Sequence, residues 1–355
     1  MLSRKLCREC DASRRIVREH SWLDDGTIVQ RKNPEHRMIF IENENIAGIF
    51  RNVEEIIGMP IERIVVEAKR RATFDFVDHI LPEVVKAVVR IIGMKPVIRN
   101  ITALGKVMGY GNIELAKLRR VRDEGDYVTI HTKGIYSLPL FCGDLAGSFN
   151  AIDRREVAVS YRELGSDEHE ITGHISVHPL ELMDRLRPVP YTHKQGDIQL
   201  ERCGTCGGPK ELAEYRWDLT SGMILHRESG RRMVILGPAT IDTIIDELEK
   251  ELGEKIPEVV IEAQRRFVRS EFYWLSEART IEDFRRSLAL RGLGNLRKMD
   301  WGEKRLHFHI ENPCLYLPMV GLILGVYELA LGVDARADWE IREDGDLVVE
   351  VTPKA

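Results

Sequence analysis

The feature that most constrains the fold is an internal repeat in which each copy begins with a Cys-x-x-Cys pair. Cys7 and Cys10 head the first copy, and Cys203 and Cys206 head the second, 196 residues further on. A hairpin-like stretch and then a helix-like stretch follow each pair: DGTIVQRKNPEHRMIFI with ERIVVEAKRR in the first copy, SGMILHRESGRRMVIL with PEVVIEAQRR in the second. Each copy is as large as a small domain, so the repeat indicates a tandem duplication and not a solenoid.

The order of elements predicts an α+β fold. In each copy a cysteine knuckle precedes a hairpin, two helices, a Gly-rich turn, a strand, an apolar helix and terminal strands. We expect two tandem homologous domains, residues 1–183 and 200–355, each an antiparallel sheet packed with helices around its own core. The Pro-containing stretch 184–199 between them is typical of an interdomain linker. Asn33-Pro34 and Glu228-Ser-Gly230 are predicted as the hairpin turns.

Charge and composition limit the possible partners of the protein and its cellular compartment. The chain has 52 basic and 57 acidic residues, a formal charge of −5, so it lacks the basic footprint of a nucleic-acid-binding protein. The N-terminus does not read as a secretion signal, and the six cysteines suit metal or redox chemistry in a reducing cytoplasm. The apolar stretch 315–333 approaches the length of a membrane span. We interpret it as a buried helix, because its counterpart in the first copy carries Asp144 and Asn150.

The two cysteine pairs predict a metal centre. A structural zinc ion needs four ligands, and each copy supplies two thiolates. A duplicated chain with pseudo-twofold symmetry can bring equivalent residues together on the axis. We therefore expect one zinc ion bound by Cys7, Cys10, Cys203 and Cys206 that joins the two copies. The alternatives are a separate site in each copy that uses neighbours such as His20 or His226, a redox dithiol, or plain thiols.

A second set of metal-ligating residue types lies late in the first copy: Cys142, Glu163 and His169, with His174 and His178 nearby. These residues could form a second metal site. The alternative is a buried thiol among surface histidines, since the second copy ends without Cys or His.

Two apolar segments predict an internal ligand pocket in each copy. The candidate lining residues are Tyr136, Leu138, Phe141 and Leu145 in the first copy and Tyr316, Met319 and Leu324 in the second, with the equivalent strand histidines His131 and His309. Gly143/Gly147 and Gly321/Gly325 are spaced four apart, so each segment presents a bare ridge to which a helix or a ligand could come close. The alternative is an ordinary pair of tightly packed core helices.

Several motifs resemble a known family. The order Gly-x-Gly, strand, Pro-containing apolar segment, Gly-x-x-x-Gly and terminal strand, from Gly109 to about Ile175 and more loosely from Gly292 to Val351, resembles the 4-vinyl-reductase-type (4VR) domain, a predicted hydrocarbon-binding domain. The resemblance implies an α+β domain that encloses a small hydrophobic ligand. Related aromatic sensors bind zinc through cysteines and a glutamate in this segment. That comparison implies places for Cys142, Glu163 and His169, although Ser166 stands where another cysteine would be expected.

These observations predict a binding protein, a sensor or carrier for a hydrocarbon, aromatic or acyl ligand, with zinc as structural support. Neither Gly-x-Gly motif has the third glycine of a dinucleotide fingerprint. The first alternative is a metal-dependent enzyme that uses Cys142, Glu163 and His169, and the second is a scaffold protein without a ligand. A homo-oligomer or a signalling partner protein is compatible with each of these.

Overall fold

The computed structural model describes residues 5–84, 86, 89, 93–176, 191–270 and 280–354. His178 and residues 184–190 of the expected linker lie outside the described residues. The described chain is a mixed α and β structure whose sheets are antiparallel, which confirms the α+β fold class.

The described elements of the first copy include one helix before the Gly-rich turn and one strand after it that the sequence did not predict. The elements are α1 (Arg14–Glu19), β1 (His20–Trp22), β2 (Ile28–Gln30), β3 (Asn33–Glu42), α2 (Asn43–Ile57), α3 (Glu62–Ile80), α4 (Lys95–Val107), β4 (Asn112–Arg119), β5 (Tyr127–Lys133), α5 (Leu138–Asp153), β6 (Val157–Gly165) and β7 (Glu168–Ile175).

The second copy repeats this order. Its described elements are β8 (Tyr215–Asp218), β9 (Met223–His226), β10 (Arg232–Leu236), α6 (Ala239–Leu252), α7 (Ile256–Ser270), α8 (Ile281–Arg291), β11 (Asn295–Trp301), β12 (Leu306–Glu311), α9 (Tyr316–Leu331), β13 (Ala335–Ile341) and β14 (Leu347–Pro353), and a short 3-10 helix, Lys210–Glu214, precedes β8.

The three sheets reflect the internal repeat. Two four-stranded sheets have the matching orders β4-β5-β7-β6 and β11-β12-β14-β13. The third sheet has six strands in the order β1-β2-β3-β10-β9-β8, in which β3 and β10 pair antiparallel with Ile39 opposite Leu236. Each copy therefore contributes three strands to one shared sheet.

The hairpin of each copy packs against the other copy. The indole N–H of Trp22 donates to the carbonyl of Leu290 at 2.9 Å, and that of Trp217 donates to the carbonyl of Val107 at 3.1 Å. Gly26 and Gly294 come close enough that an added Cβ on Gly26 would lie 2.3 Å from the Gly294 carbonyl oxygen.

Two arginines also make equivalent contacts from one copy to the other. Arg37 of β3 donates to the carbonyls of Gly292 and Asn312 at 2.8 and 2.7 Å, whereas Arg232 of β10 donates to those of Gly109 and Gly134 at 2.8 and 2.7 Å. The buried apolar side chains of the described residues accordingly form one cluster that runs through both copies. The expectation of a separate core in each copy is wrong, because strands and hairpins cross between the copies.

The glycine ridge of each apolar helix packs against a neighbouring helix of the same copy. A Cβ on Gly147 of α5 would lie 2.3 Å from the carbonyl oxygen of Arg70 in α3, and one on Gly321 of α9 would lie 2.3 Å from that of Ile261 in α7. Both glycines thus allow close helix packing. Among the described helices, none combines the length and the apolar character that a membrane crossing requires.

The first hairpin turn differs from the prediction. Gln30 pairs with Asn33, so Arg31 and Lys32 form the turn, and the pairing resumes only at Val29 with Arg37. The residues from Pro34 to His36 are extra residues on β3 that have no partner on β2. A proline lacks the backbone N–H, so in this unpaired segment it costs the sheet no hydrogen bond. This irregularity places His36 at the cavity described below.

Candidate metal centre and ligand cavity

Two equivalent turns bring the four predicted cysteines together. The N–H of Cys7 donates to the carbonyl of Ala12 at 2.9 Å, and that of Cys203 donates to the carbonyl of Gly208 at 2.8 Å. Asp11 and Gly207, at matching positions in these turns, both have positive φ, 55° and 76°. The turns also contact each other, because Glu9 accepts hydrogen bonds from the backbone N–H and hydroxyl of Thr205 at 3.0 and 2.7 Å.

The spacing of the sulfurs fits one tetrahedral metal ion. The Sγ atoms of Cys7 and Cys203 lie 3.7 Å apart, those of Cys10 and Cys206 lie 3.5 Å apart, and all four are within 4.8 Å of one another. Four sulfurs about 2.3 Å from a central ion would be separated by about 3.8 Å. A disulfide would need about 2.0 Å, so these cysteines are free thiols arranged as a ligand set.

Burial and backbone N–H groups act in opposite directions on the pKa values of these cysteines. Burial acts to raise the pKa of Cys7, but backbone N–H donors of Cys10 and Glu9 lower it to about 7. Burial raises the pKa of Cys10 and of Cys206. The backbone N–H groups of Ala12 and Gly208 point to the sulfurs of Cys10 and Cys206. Such donors stabilise thiolates, which are the form that binds a metal.

The second predicted metal site is not assembled. Cys142 is a buried thiol of α5 whose pKa burial raises to about 12, whereas Glu163 and His169 face each other across β6 and β7. Among the described residues, the four cysteines are the only set of three or more metal-ligating side chains whose ligand atoms lie close enough together to share one ion. The prediction of a site at Cys142, Glu163 and His169 is therefore not supported by the geometry.

A cavity of about 140 Å³ lies within the first copy. Its lining comes from helices α3, α4 and α5, strands β4 and β5 and the β2–β3 hairpin, together with Gly237 and Thr240 of the second copy. Most of its lining is apolar; the apolar side chains are Met38, Ala72, Phe76, Val77, Met94, Ile98, Ile101, Leu104, Met108, Ile113, Val128, Ile130, Phe141, Leu145, Phe149 and Ile152.

Polar side chains meet at one side of this cavity. Asp144 of α5 forms an ion pair with Lys69 of α3 at 3.3 Å, accepts the hydroxyl of Thr73 at 2.7 Å and accepts that of Tyr136 at 2.8 Å. We call Lys69, Thr73, Tyr136 and Asp144 the polar cluster. The ring of Tyr136 stacks on that of Tyr110 with 4.2 Å between centroids, and burial raises the pKa of Tyr136 well above its ordinary value.

His36 also lines the cavity and stacks on Phe76 with 5.2 Å between ring centroids. Burial, together with the positive charge of Lys69, lowers the pKa of His36 to about 4. Its imidazole is therefore neutral at pH 7.

The predicted pocket residues fall into different places. Phe141 and Leu145 line the cavity, and Tyr136 lies beside it through its bond to Asp144. Leu138, which begins α5, and His131, which lies on β5 between Glu114 and Glu170, are not among the lining residues of this cavity.

The predicted residues of the second copy also lie away from this cavity. Met319 and Leu324 are buried in α9, Tyr316 packs near Trp339 with 5.6 Å between ring centroids, and His309 bonds Asp346 at 2.8 Å. Sequence reasoning did not single out Lys69, Thr73 or His36 as ligand contacts. One signal could have found the cluster, because Asp144 is a charged residue within the apolar stretch 138–147 of α5.

No protein-family model matches the chain, and the search of curated proteins found no match. Solved structures similar to it include a Cs H-NOX mutant with 4-cyano-L-phenylalanine at site 5, a mutant of T. Tengcongensis H-NOX and a structure described as probing heme distortion in the H-NOX family. Each is 13% identical over 34% of this chain, with TM-scores of 0.26, 0.25 and 0.26, and the matches cover 75%, 75% and 73% of those chains. A likeness at this level carries no argument about fold or function.

Proposed function

We propose that this protein binds a small hydrophobic ligand in the cavity of its first copy, as a sensor or carrier. The observation that carries the proposal is the cavity itself, whose lining is mainly apolar with a few convergent polar groups. Ligand sites in proteins commonly have this composition, since apolar surface supplies affinity and a few polar groups fix orientation. The resemblance to the 4VR domain supports the same function.

The proposal includes a zinc ion bound by Cys7, Cys10, Cys203 and Cys206. A set of four thiolates in tetrahedral spacing suits zinc and also suits iron. Zinc would serve as structural support, because four protein ligands leave no open position for a substrate. We also propose that the chain consists of two homologous repeats, each headed by a cysteine knuckle, and that it works in the reducing cytoplasm.

Native mass spectrometry of the protein, purified without added metal or lipid, tests both parts of the proposal. Compared with the denatured mass, we expect an excess of one metal ion and one organic molecule per chain. Elemental analysis of the same sample distinguishes zinc from iron. A chain without an organic species that also fails to gain thermal stability from toluene or benzyl alcohol would contradict ligand binding.

Matched variants separate the two sites. Cys7→Ser with Cys203→Ser should abolish the metal signal, while Cys142→Ala, a buried thiol outside the cluster, should keep it. Ile101→Phe and Ala72→Phe, two independent substitutions that fill the cavity, should each remove the organic mass and leave the metal in place. Unchanged metal content in the double cysteine variant would overturn the zinc assignment.

A further inference from the structure

The polar cluster is electrically balanced. Lys69 and Asp144 carry opposite charges at 3.3 Å and are mostly buried, with side-chain exposures of 10% and 17%. The other titratable side chains that line the cavity, His36 and Tyr110, are both neutral at pH 7. A charged ligand would therefore lose its hydration without meeting an uncompensated opposite charge, which is costly in an apolar site.

The cluster nevertheless offers hydrogen bonds. The Lys69 ammonium has three donor hydrogens, more than one carboxylate oxygen at 3.3 Å can accept. Asp144 receives Thr73 and Lys69 on Oδ1 and Tyr136 on Oδ2, which fixes the carboxylate in place. A ligand group that accepts one hydrogen bond from Lys69 can join this arrangement without moving it.

The volume limits the size of the ligand. The cavity measures about 140 Å³, close to the engineered cavity of about 150 Å³ that binds benzene. A molecule with one ring, or a chain of similar bulk, fits this space. A long acyl chain or a macrocycle is larger than this space.

The second copy lacks the polar cluster. The glycine contacts identify equivalent residues: Gly143 faces Lys69 and Gly321 faces Gln264, whereas Gly147 faces Thr73 and Gly325 faces Val268.

The next residue along each apolar helix completes the comparison. Asp144 follows Gly143, and Leu322 follows Gly321. The second copy therefore has Gln264, Val268 and Leu322 where the first has Lys69, Thr73 and Asp144, and it does not repeat the ion pair.

From these observations we infer that the first copy alone receives the ligand, one per chain, and that this ligand is a neutral molecule of single-ring size with a hydroxyl or carbonyl group held by the Lys69–Asp144 pair. The inference rests on the proposed function and narrows it, since it excludes long acyl chains and charged ligands.

Titration calorimetry with a matched set of probes tests the inference on the intact, metal-loaded chain. The probes are toluene, benzyl alcohol, benzoate, benzylammonium and dodecan-1-ol. We expect one site per chain, at least tenfold tighter binding of benzyl alcohol than of toluene, and weaker binding of the two ions and of dodecan-1-ol. Equal affinity for toluene and benzyl alcohol, or preference for an ion or for the long alcohol, would overturn the inference and leave the proposed function standing. If none of the five probes binds, both fail.

Charge variants show whether the polar cluster recognises the ligand. Asp144→Asn leaves Lys69 without its counter-ion, so benzoate should bind at least tenfold more tightly than it binds the unmodified chain. Lys69→Met should shift preference toward benzylammonium in the same way. The double variant K69Q/D144L, which copies the second repeat, should bind toluene within about twofold of the unmodified chain and lose the preference for the alcohol.

Gln264→Met, at the position equivalent to Lys69, is the control and should leave all five affinities unchanged. A merely structural role for the ion pair predicts that both single variants lower all affinities together without a change in charge preference, and this result would contradict the inference. Since each single variant is measured separately, the charge test survives a failure of the double variant to fold.

Discussion

Gln264 of α7 is a buried residue whose side-chain amide is unsatisfied among the described residues. Its side chain is buried, with 1% exposure, and neither its amide nitrogen nor its amide oxygen has a hydrogen-bond partner among the described residues. An unsatisfied buried amide costs roughly 1–3 kcal/mol. We expect Gln264→Met, which keeps the volume and removes the polar atoms, to raise the free energy of unfolding by about 1 kcal/mol in denaturant titration. A loss of stability would show that this amide is hydrogen-bonded in the folded protein and would contradict the prediction.

His36 makes stability depend on pH. Its pKa is about 4 in the folded chain and about 6.5 when unfolded, so between these values the unfolded chain binds more protons. The free energy of unfolding should therefore fall as the pH drops from about 6.5 to 4, by up to about 3 kcal/mol from this residue. Burial also lowers the pKa of His20 and of His193, which adds to the same trend.

Denaturant titrations at pH 7, 5.5 and 4.5 check this dependence. His36→Asn should reduce the slope of stability against pH over this range. An unchanged slope in the His36 variant would show that the imidazole is hydrated and not buried against the cavity.

At the scale of elements, the glycine ridge of α5 determines how closely it packs on α3. A Cβ on Gly147 would lie 2.3 Å from the carbonyl oxygen of Arg70 and 2.9 Å from the backbone nitrogen of Phe74. Backbone atoms have little room to yield, so we expect Gly147→Ala to cost at least about 2 kcal/mol in the free energy of unfolding. The exposed Gly165 of β6 has no atom within 4 Å of its ideal Cβ, and Gly165→Ala should change stability by less than about 0.5 kcal/mol. Similar effects for the two variants would contradict the close helix contact.

The elements themselves could be largely predicted from the sequence, because their signals are local. The stripe that includes Val65 and Ala68 predicts α3, and the spacing of Gly143 and Gly147 predicts a close contact of α5. The irregular pairing of β3 that places His36 at the cavity has no such signal, since it depends on which residues of β2 find partners. The Lys69–Asp144 pair joins two helices that are far apart in the chain, so spacing alone could not predict it.

At the scale of the whole molecule, the exchange of hairpins between the copies was not predictable, while the meeting of the cysteines was. The repeat implies a pseudo-twofold axis, and such an axis brings equivalent cysteines together where they lie close to it. The pairing of β3 with β10 and the contact of Trp22 with the Leu290 carbonyl depend instead on one particular way of crossing the two copies. A tandem repeat with each hairpin folded back on its own copy would have the same sequence pattern.

The crossing predicts how the molecule responds to being divided. Expressed separately, residues 1–183 and 184–355 would each lose the partner of a central strand and the surface against which its hairpin packs. We expect neither fragment to unfold cooperatively alone, as judged by circular dichroism in urea. Expressed together, they should form a one-to-one complex that shows the sheet and helix signal of the intact chain. Cooperative unfolding of either fragment by itself would contradict a shared core.

The metal should matter more in the divided molecule than in the intact one. Each fragment would supply two of the four sulfurs, so the metal would hold together two separate chains, whereas in the intact protein the covalent connection already keeps both halves at a high effective concentration. Cys7→Ser with Cys10→Ser in the first fragment should weaken association at least a hundredfold in analytical ultracentrifugation. In the intact chain the same pair should lower the melting temperature by several degrees and leave it folded. Association that is insensitive to these substitutions would show that the strands and hairpins, and not the four-cysteine centre, hold the two copies together.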